Sequence, residues 1–284
     1  MPKILKLILY ADDTTIYFSS PNLQSLFSTF NSELVYINEW FLKNKLTVNL
    51  TKTNYVLFHS SRRSATTSNL ILNLGNHPIE EKCSVRFLGV YFDECLTWNR
   101  HIEYLSRKLC KYPFLFYTSR PYLSLKYRKI LYNTLVNPNI LYCITAWGNA
   151  SRQTLKPLQL LQKKIIRSIS EVNSFHPSDP LFKNLNILKI EKLHLYMSTI
   201  YVFRSLNCLN RCDWFHAHHH AFHNLRSNNL QLLNVPFNRN TQYCKSIRIN
   251  GPKLWNDLPL EIRLEDSYNV FKLRSKLHLL EFHP

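Results

Sequence analysis

LILYADDTTIYFSS, residues 7–20, places two adjacent acids, Asp12 and Asp13, between two runs of apolar and β-branched residues. Both runs have the composition that favours β-strands. An unpaired carboxylate is costly to bury, so the two acids cannot lie inside a buried strand. The stretch therefore predicts a β-hairpin that carries both carboxylates at its bend.

Two carboxylates at one bend could hold a divalent cation. Side chains alternate between the faces of a strand, so adjacent acids approach a single point only near the bend. Hard oxygen ligands suit Mg²⁺ or Mn²⁺. From these two residues alone, the alternative is a solvated Asp-Asp turn without a ligand.

The chain is strongly basic. It has 284 residues, and 36 Lys and Arg against 18 Asp and Glu give a net charge of +18. Such a surplus indicates a polyanionic partner, most simply nucleic acid. The 45% hydrophobic content is enough for a globular core, whereas four glycines are too few for a Gly-rich phosphate loop or a dinucleotide fingerprint.

Membrane and secretory signals are weak in this sequence. No apolar run reaches the roughly 20 residues of a membrane span, and the opening MPKILKLILYADD has no signal-peptide pattern. The seven cysteines are scattered, which favours reduced thiols over a disulfide framework. We therefore expect an intracellular chain, cytoplasmic or nuclear, with no membrane partner.

The periodicity of the sequence changes at Trp98. Before it, an amphipathic helix is predicted from about 22 to 44 with Asn22 as its cap, followed by strands over 55–58, 70–74 and 85–92. After it, helical spacing dominates in segments separated by prolines. The pattern predicts an α+β fold, with a β-hairpin, a helix and short antiparallel strands followed by a mainly helical part.

A second cluster of possible metal ligands follows residue 206. Cys208 and Cys212 precede a His-rich loop in a C-x3-C-x7-H arrangement, which could bind zinc. The alternative is a buried helix end followed by a polar loop.

Four motifs then occur in an order that resembles the reverse transcriptase of non-LTR (LINE-type, jockey-like) retrotransposons. YADD at residues 10–13 matches the family's metal-binding box, and NLTKT at 49–53 looks like the box that follows it. FLGV at 87–90 is similar to the primer-grip hairpin before the thumb. GPKLWN at 251–256 looks like the family's C-terminal region.

This resemblance implies a domain organisation and an activity. Residues 1–98 would be a partial palm, 99–172 a helical thumb-like region, and 173–284 a mainly helical C-terminal region with the His-rich loop. The implied activity is that of an RNA-directed DNA polymerase, a nucleotidyltransferase that uses two Mg²⁺ (or Mn²⁺) ions, an RNA template and a DNA primer.

The same resemblance implies that the chain is truncated. Family members carry fingers and another metal-binding aspartate before YADD, whereas nine residues precede Tyr10 here. We therefore expect weak metal binding and little or no activity from the isolated chain. The alternative is a basic nucleic-acid-binding remnant that no longer catalyses a reaction.

Particular residues acquire roles from the resemblance. Asp12 and Asp13 would be metal ligands, and Lys52 would protonate the leaving pyrophosphate, unless it is only a solvated loop lysine. The primer-grip residues would be Phe87, Leu88, Gly89 and Val90, and a strand with a glycine bulge is a compatible interpretation.

Basic residues recur on the predicted helices after residue 100, among Tyr and Leu. Cations on one helix face can follow the phosphates of a duplex without reading its sequence, although such runs are often only solvated. The candidates for nucleic-acid binding are Arg107, Lys108, Lys111, Lys126, Arg128, Lys129, Lys163, Lys164 and Arg167.

Overall fold

The computed structural model describes residues 5–60, 70–207, 214–215 and 231–281. It divides into two compact units, Met1–Leu96 and Thr97–Pro284. Helices and short strands occur in the proportions of an α+β protein, which confirms the predicted fold class. Cys208, Cys212 and the histidines at 216–223 lie outside the described residues, so the predicted zinc cluster stays a prediction.

The first unit contains eight short strands in its described part, and each sheet there has two strands. Three pairs are antiparallel: β1 (Lys6–Tyr10) with β2 (Asp13–Tyr17), β4 (Asn73–Leu74) with β5 (His77–Pro78), and β7 (Ser84–Phe87) with β8 (Val90–Asp93). β3 (Asn54–Tyr55) pairs with β6 (Glu80–Glu81) in parallel, so the expectation of antiparallel strands alone is wrong for this pair.

Helix α1 (Leu23–Lys43) confirms the predicted amphipathic helix. The Asn22 side chain caps its N-terminus by accepting the backbone N–H groups of Gln24 and Ser25 at 2.8 and 3.2 Å. The apolar face of the helix joins the core of the unit, in which the buried side chains are Leu5, Phe27, Leu34, Ile37, Leu72 and Leu74.

A polar clamp also fastens α1 to the edge of β4. The Asn31 amide donates to the Ile71 carbonyl at 2.9 Å, and its oxygen accepts the Asn73 N–H at 2.9 Å. One side chain thus satisfies a backbone group of the two-residue strand and another two residues before it. So short a strand could not hold its position by its own ladder alone.

Two predicted strands are shorter than expected, and a third has a different shape. The strand over 55–58 is reduced to β3, and the strand over 70–74 to β4. The strand over 85–92 is in fact a hairpin, because Leu88 and Gly89 adopt left-handed backbone conformations, with φ of +44° and +85°, that reverse the chain.

The described part of the second unit is helical, as predicted beyond residue 100. Its helices are α2 (Asn99–Leu109), α3 (Tyr112–Thr118), α4 (Leu125–Leu131), a π-helical turn (Tyr132–Val136), α5 (Asn137–Leu141), α6 (Ile144–Trp147), α7 (Arg152–Ile169), α8 (Ser178–Asn184), α9 (Ile190–Leu206), α10 (Thr241–Cys244), α11 (Ile247–Asn256), α12 (Leu260–Arg263) and α13 (Tyr268–Glu281). None of these helices has both the length and the apolar character needed to cross a bilayer.

A buried glutamine organises the core around α7. The Gln162 side chain donates to the Tyr132 hydroxyl at 3.0 Å and to the Leu188 carbonyl at 3.1 Å, and it accepts the Ile190 N–H at 3.1 Å. All of its partners are buried with it, and burial raises the pKa of Tyr132 to about 12. A satisfied network of this kind fixes the start of α9 against the π-helical turn.

Candidate active site and nucleic-acid-binding surface

The two acids of the YADD motif lie at a tight hairpin turn, as the sequence predicted. Tyr10 pairs with Asp13 across β1 and β2, so the turn consists of Ala11 and Asp12. Ala11 has a φ of +50°, which an alanine rarely adopts. Both acids are exposed to solvent, so the turn presents two carboxylates where a cation or phosphate can approach.

The hairpin is anchored at its base and exposed towards its turn. Leu5 is buried, and Ile16 and Phe18 pack against the core of the first unit. By contrast, Leu9 is 70% exposed and Tyr10 is 62% exposed. The strands next to the acids therefore lack a covering layer within the described residues of this unit, although their sequence is apolar.

The two carboxylates at the hairpin have the oxygen atoms that a hard cation prefers, but two ligands are few for a metal site. Within the described residues, the hairpin acids do not belong to a cluster of three or more potential metal ligands. Two carboxylates match the oxygen preference of Mg²⁺ or Mn²⁺. A pair of divalent ions carries four positive charges, which two carboxylates only half neutralise.

Lys52 lies on a turn that Asn49 organises. The Asn49 side-chain oxygen accepts the Thr51 N–H and hydroxyl at 3.1 and 2.7 Å, and its carbonyl accepts the N–H groups of Lys52 and Thr53, both at 3.1 Å. The Lys52 side chain is exposed, and in the described structure it makes no hydrogen bond or ion pair with Asp12 or Asp13. The structure thus presents the ammonium group without bringing it into contact with the acids.

Asn49 is a residue whose role the sequence analysis missed. Its signal is the Asn-x-Thr spacing, because an Asn side chain commonly accepts the N–H two residues later in an Asx-turn. The Thr53 hydroxyl also donates to the Asn49 carbonyl at 2.9 Å, and the Asn54 amide donates to the Lys52 carbonyl at 3.0 Å. These bonds hold the backbone on both sides of Lys52.

The predicted primer-grip residues form a two-residue hairpin turn, which is the shape that the resemblance implied, and not the bulged strand that was the alternative. Phe87 pairs with Val90, which leaves Leu88 and Gly89 as the turn. Positive φ at both central residues is the signature of a type I′ turn, the type whose twist suits a β-hairpin. Val90 is 3% exposed and anchors the turn, while Leu88 and Gly89 are half-buried.

The basic residues of the second unit differ in exposure. Arg107, Lys108, Lys111, Lys126 and Lys164 are exposed, whereas Lys129, Lys163 and Arg167 are half-buried. Arg107 is already paired with Glu103 at 2.6 Å on α2, and the Arg167 guanidinium donates to the His176 carbonyl at 2.8 Å. The exposed lysines are therefore the groups best placed to meet a phosphate.

Arg128 is buried, in contrast to its neighbours on α4. Only 4% of its side chain is exposed, and it forms an ion pair with Glu171, whose side chain is 51% exposed. Its Nε and Nη1 atoms have no hydrogen-bond partner among the residues that the structure describes. In this conformation the guanidinium cannot contact a phosphate at the surface, so the expectation that Arg128 binds nucleic acid directly does not fit its burial.

The chain is similar in sequence to RNA-directed DNA polymerases from Drosophila mobile elements, which confirms the resemblance indicated by its motifs. The polymerase from mobile element jockey of Drosophila funebris is 30% identical over 165 residues, which are 57% of this chain and 18% of that protein. The probable polymerase from transposon X-element of Drosophila melanogaster is 25% identical over 188 residues, which are 65% of this chain and 20% of that protein.

A further relative is the probable RNA-directed DNA polymerase from transposon BS of Drosophila melanogaster. It is 24% identical over 195 residues, which are 67% of this chain and 21% of that protein. The chain therefore spans about a fifth of the length of the curated relatives it matches. No protein-family model matches the chain, and no solved structure matches it.

Proposed function

We propose that this chain is a part of an RNA-directed DNA polymerase of a non-LTR retrotransposon. In this proposal residues 1–98 are the later part of the palm, 99–172 the thumb and 173–284 the C-terminal region. The observation that carries it is the exposed pair Asp12 and Asp13 at a two-residue hairpin turn, in a chain similar to such polymerases.

The residues of the hairpin and of the Asn49 turn have complementary roles in nucleotidyl transfer. Divalent ions bound by the acids would activate the attacking 3′-oxygen and neutralise the triphosphate. Asp12 is the direct ligand and Asp13 the less direct partner. Lys52, held on its turn by Asn49, donates a proton to the leaving pyrophosphate.

Nucleic acid is the partner that the remaining features support. The turn at Leu88 and Gly89 offers backbone to the primer strand, since glycine permits close approach. The exposed lysines of the helical unit offer cations to the phosphates of a template–primer duplex. Lys108 also lies 6.0 Å from the Tyr104 ring, which orders part of this surface.

We further propose that the 284-residue polypeptide alone has little polymerase activity. The described residues place only two carboxylates at the hairpin, so two ions would be bound weakly and in poor geometry. The same observation supports a second candidate function, a basic module that binds nucleic acid without catalysis.

Primer extension on an RNA template with magnesium tests the proposal. The isolated chain should extend poorly, whereas a fusion to the preceding fingers and palm segment of a jockey-type relative should extend the primer. Asp12→Ala should abolish extension by the fusion, and Asp266→Ala, at an exposed acid of the second unit, should leave it unchanged.

The outcomes separate the two candidate functions. An inactive fusion that still binds a template–primer duplex would favour the non-catalytic module. An active Asp12→Ala fusion would refute the assignment of the metal ligands, and robust extension by the isolated chain would refute the incomplete-site argument.

A further inference from the structure

Three residues of the first unit bring different metal-binding groups together away from the YADD motif. Each of His59, Glu94 and Cys95 offers a ligand atom, and these atoms all lie within 4.8 Å of one another. The three residues are half-buried, which shields the site partly from water while leaving it accessible to an ion. The set combines an imidazole, a carboxylate and a thiol.

Backbone hydrogen bonds hold the two segments that carry these groups. The His59 N–H donates to the Glu94 carbonyl at 3.0 Å, and the Glu94 N–H donates to the Cys83 carbonyl at 3.0 Å. Directly after Cys95, Leu96 has a φ of +52°, and its N–H donates to the Asp93 carbonyl at 2.9 Å in a tight turn. These bonds hold the backbone of the two segments side by side, so the three side chains start from neighbouring positions.

The distance between the thiol and the imidazole is close to that between two ligands of a tetrahedral zinc ion. The Cys95 Sγ lies 4.0 Å from the His59 Nδ1. A tetrahedral zinc with bonds of about 2.3 Å to sulfur and about 2.0 Å to nitrogen places these two atoms about 3.5 Å apart. A closure of about half an ångström is within the reach of side-chain rotation. The Ser60 carbonyl lies 3.1 Å from this same Nδ1 atom, so the ring must release that contact when Nδ1 binds the ion.

We propose that His59, Glu94 and Cys95 form a zinc site. Thiolate and imidazole ligands favour Zn²⁺ over Mg²⁺, so this site and the carboxylate pair of the hairpin select different ions. Three protein ligands leave the fourth position to water. Since His59 follows β3 and the other two ligands follow β8, the ion would tie these segments together and steady the hairpin whose turn is Leu88 and Gly89.

Metal binding to the full chain tests this site without any polymerase assay. All variants carry Cys208→Ser and Cys212→Ser, because those cysteines could bind zinc themselves. Zinc bound per chain is measured by mass spectrometry of the dialysed protein, and Co²⁺ replaces zinc to report sulfur ligation through its thiolate charge-transfer absorption. Cys95→Ser and His59→Gln are compared with Cys83→Ser, an exposed cysteine outside the cluster.

We expect Cys95→Ser to lose the charge-transfer absorption and Cys83→Ser to keep it. His59→Gln should weaken zinc binding by at least roughly 10- to 100-fold. That is the cost of losing a residue that only hydrogen-bonds to a metal ligand, and losing a ligand itself should cost no less. Zinc should also raise the melting temperature of the parent more than that of Cys95→Ser. Equal zinc content and the same cobalt spectrum in the parent, Cys95→Ser and His59→Gln would overturn the proposal.

Discussion

Tyr10 and Asp13 are the last residue pair of the first hairpin, so the turn between them has room only for Ala11 and Asp12. This pairing forces Ala11 to a φ of +50°. Strain of this kind is often found at functional sites, where the surrounding structure enforces it. Here it brings two adjacent carboxylates to the exposed end of a hairpin.

The strain at Ala11 predicts that glycine stabilises the hairpin. A left-handed conformation costs an L-residue about 1–2 kcal/mol, and glycine avoids this cost. Glycine also has more conformational freedom in the unfolded chain, which offsets about 0.5–1 kcal/mol of that gain. Ala11→Gly should therefore slow amide exchange in residues 6–17, as measured by hydrogen-exchange mass spectrometry. Ala11→Val should speed it, because a β-branched residue tolerates positive φ poorly. Faster exchange in the glycine variant would contradict the turn geometry.

The turn around Asn49 predicts that this residue acts through Lys52. In the active fusion described above, Asn49→Ala should lower the extension rate, because the backbone that carries Lys52 loses the bonds to the Asn49 side chain. Asn49→Asp keeps an oxygen acceptor and should retain most of the activity. In a Lys52→Ala background the Asn49→Ala change should have little further effect. Additive losses in the double variant would assign Asn49 a role independent of Lys52.

The different burial of Lys126 and Arg128 predicts different effects on nucleic-acid binding. The association constant K for a duplex falls as salt rises, and the double variant with Lys126→Ala and Lys129→Ala should show a shallower fall. The slope of log K against log salt should decrease in magnitude by about one for each phosphate that is no longer neutralised. Arg128→Met should leave the slope unchanged, since the guanidinium is buried against Glu171. The measurement is titration of a labelled hybrid duplex at several salt concentrations. A slope that changes only in Arg128→Met would reverse the assignment.

Two buried histidines predict a loss of stability in mild acid. Burial lowers the pKa of His101 and of His194 to about 4, from an ordinary value of 6.5. Below pH 6.5 the unfolded chain takes up protons that the folded chain excludes, so the free energy of unfolding falls until about pH 4. The loss is roughly 3 kcal/mol for each histidine over this window.

Urea unfolding at pH 7, 6 and 5 measures this dependence. His194→Gln should remove the part of the pH dependence that His194 contributes, whereas His77→Gln, at an exposed position, should not alter it. The same pH dependence in both variants would show that His194 is not the group whose protonation opposes folding.

Much of the local structure could be predicted from the sequence, because short-range patterns determine it. The alternating runs around Asp12 and Asp13 predicted the hairpin, and the spacing from Leu23 to Lys43 predicted α1 with its Asn22 cap. The helical character beyond Trp98 also follows from periodicity, which depends on neighbours within one or two turns.

For the segment 85–92 the composition alone indicated a single strand, whereas the resemblance of FLGV to a primer-grip hairpin implied the reversal that the structure has. Its residues are apolar and strand-forming, and the reversal at Leu88 and Gly89 depends on two backbone conformations that cross-strand pairing stabilises. The clamp from Asn31 to β4 was missed for a similar reason, since its two partners lie 40 and 42 residues further along the chain.

The sequence by itself determined the elements, the placement of two acids at a hairpin and the resemblance to reverse transcriptases. Only the tertiary structure decided which cation is buried and which groups meet. Arg128 is buried and forms an ion pair with Glu171, which lies just beyond the end of α7. His59 approaches Cys95 because the His59 N–H bonds to the carbonyl of Glu94, in a segment 35 residues further along the chain. Such contacts depend on the packing of residues far apart in the chain, which local periodicity does not encode.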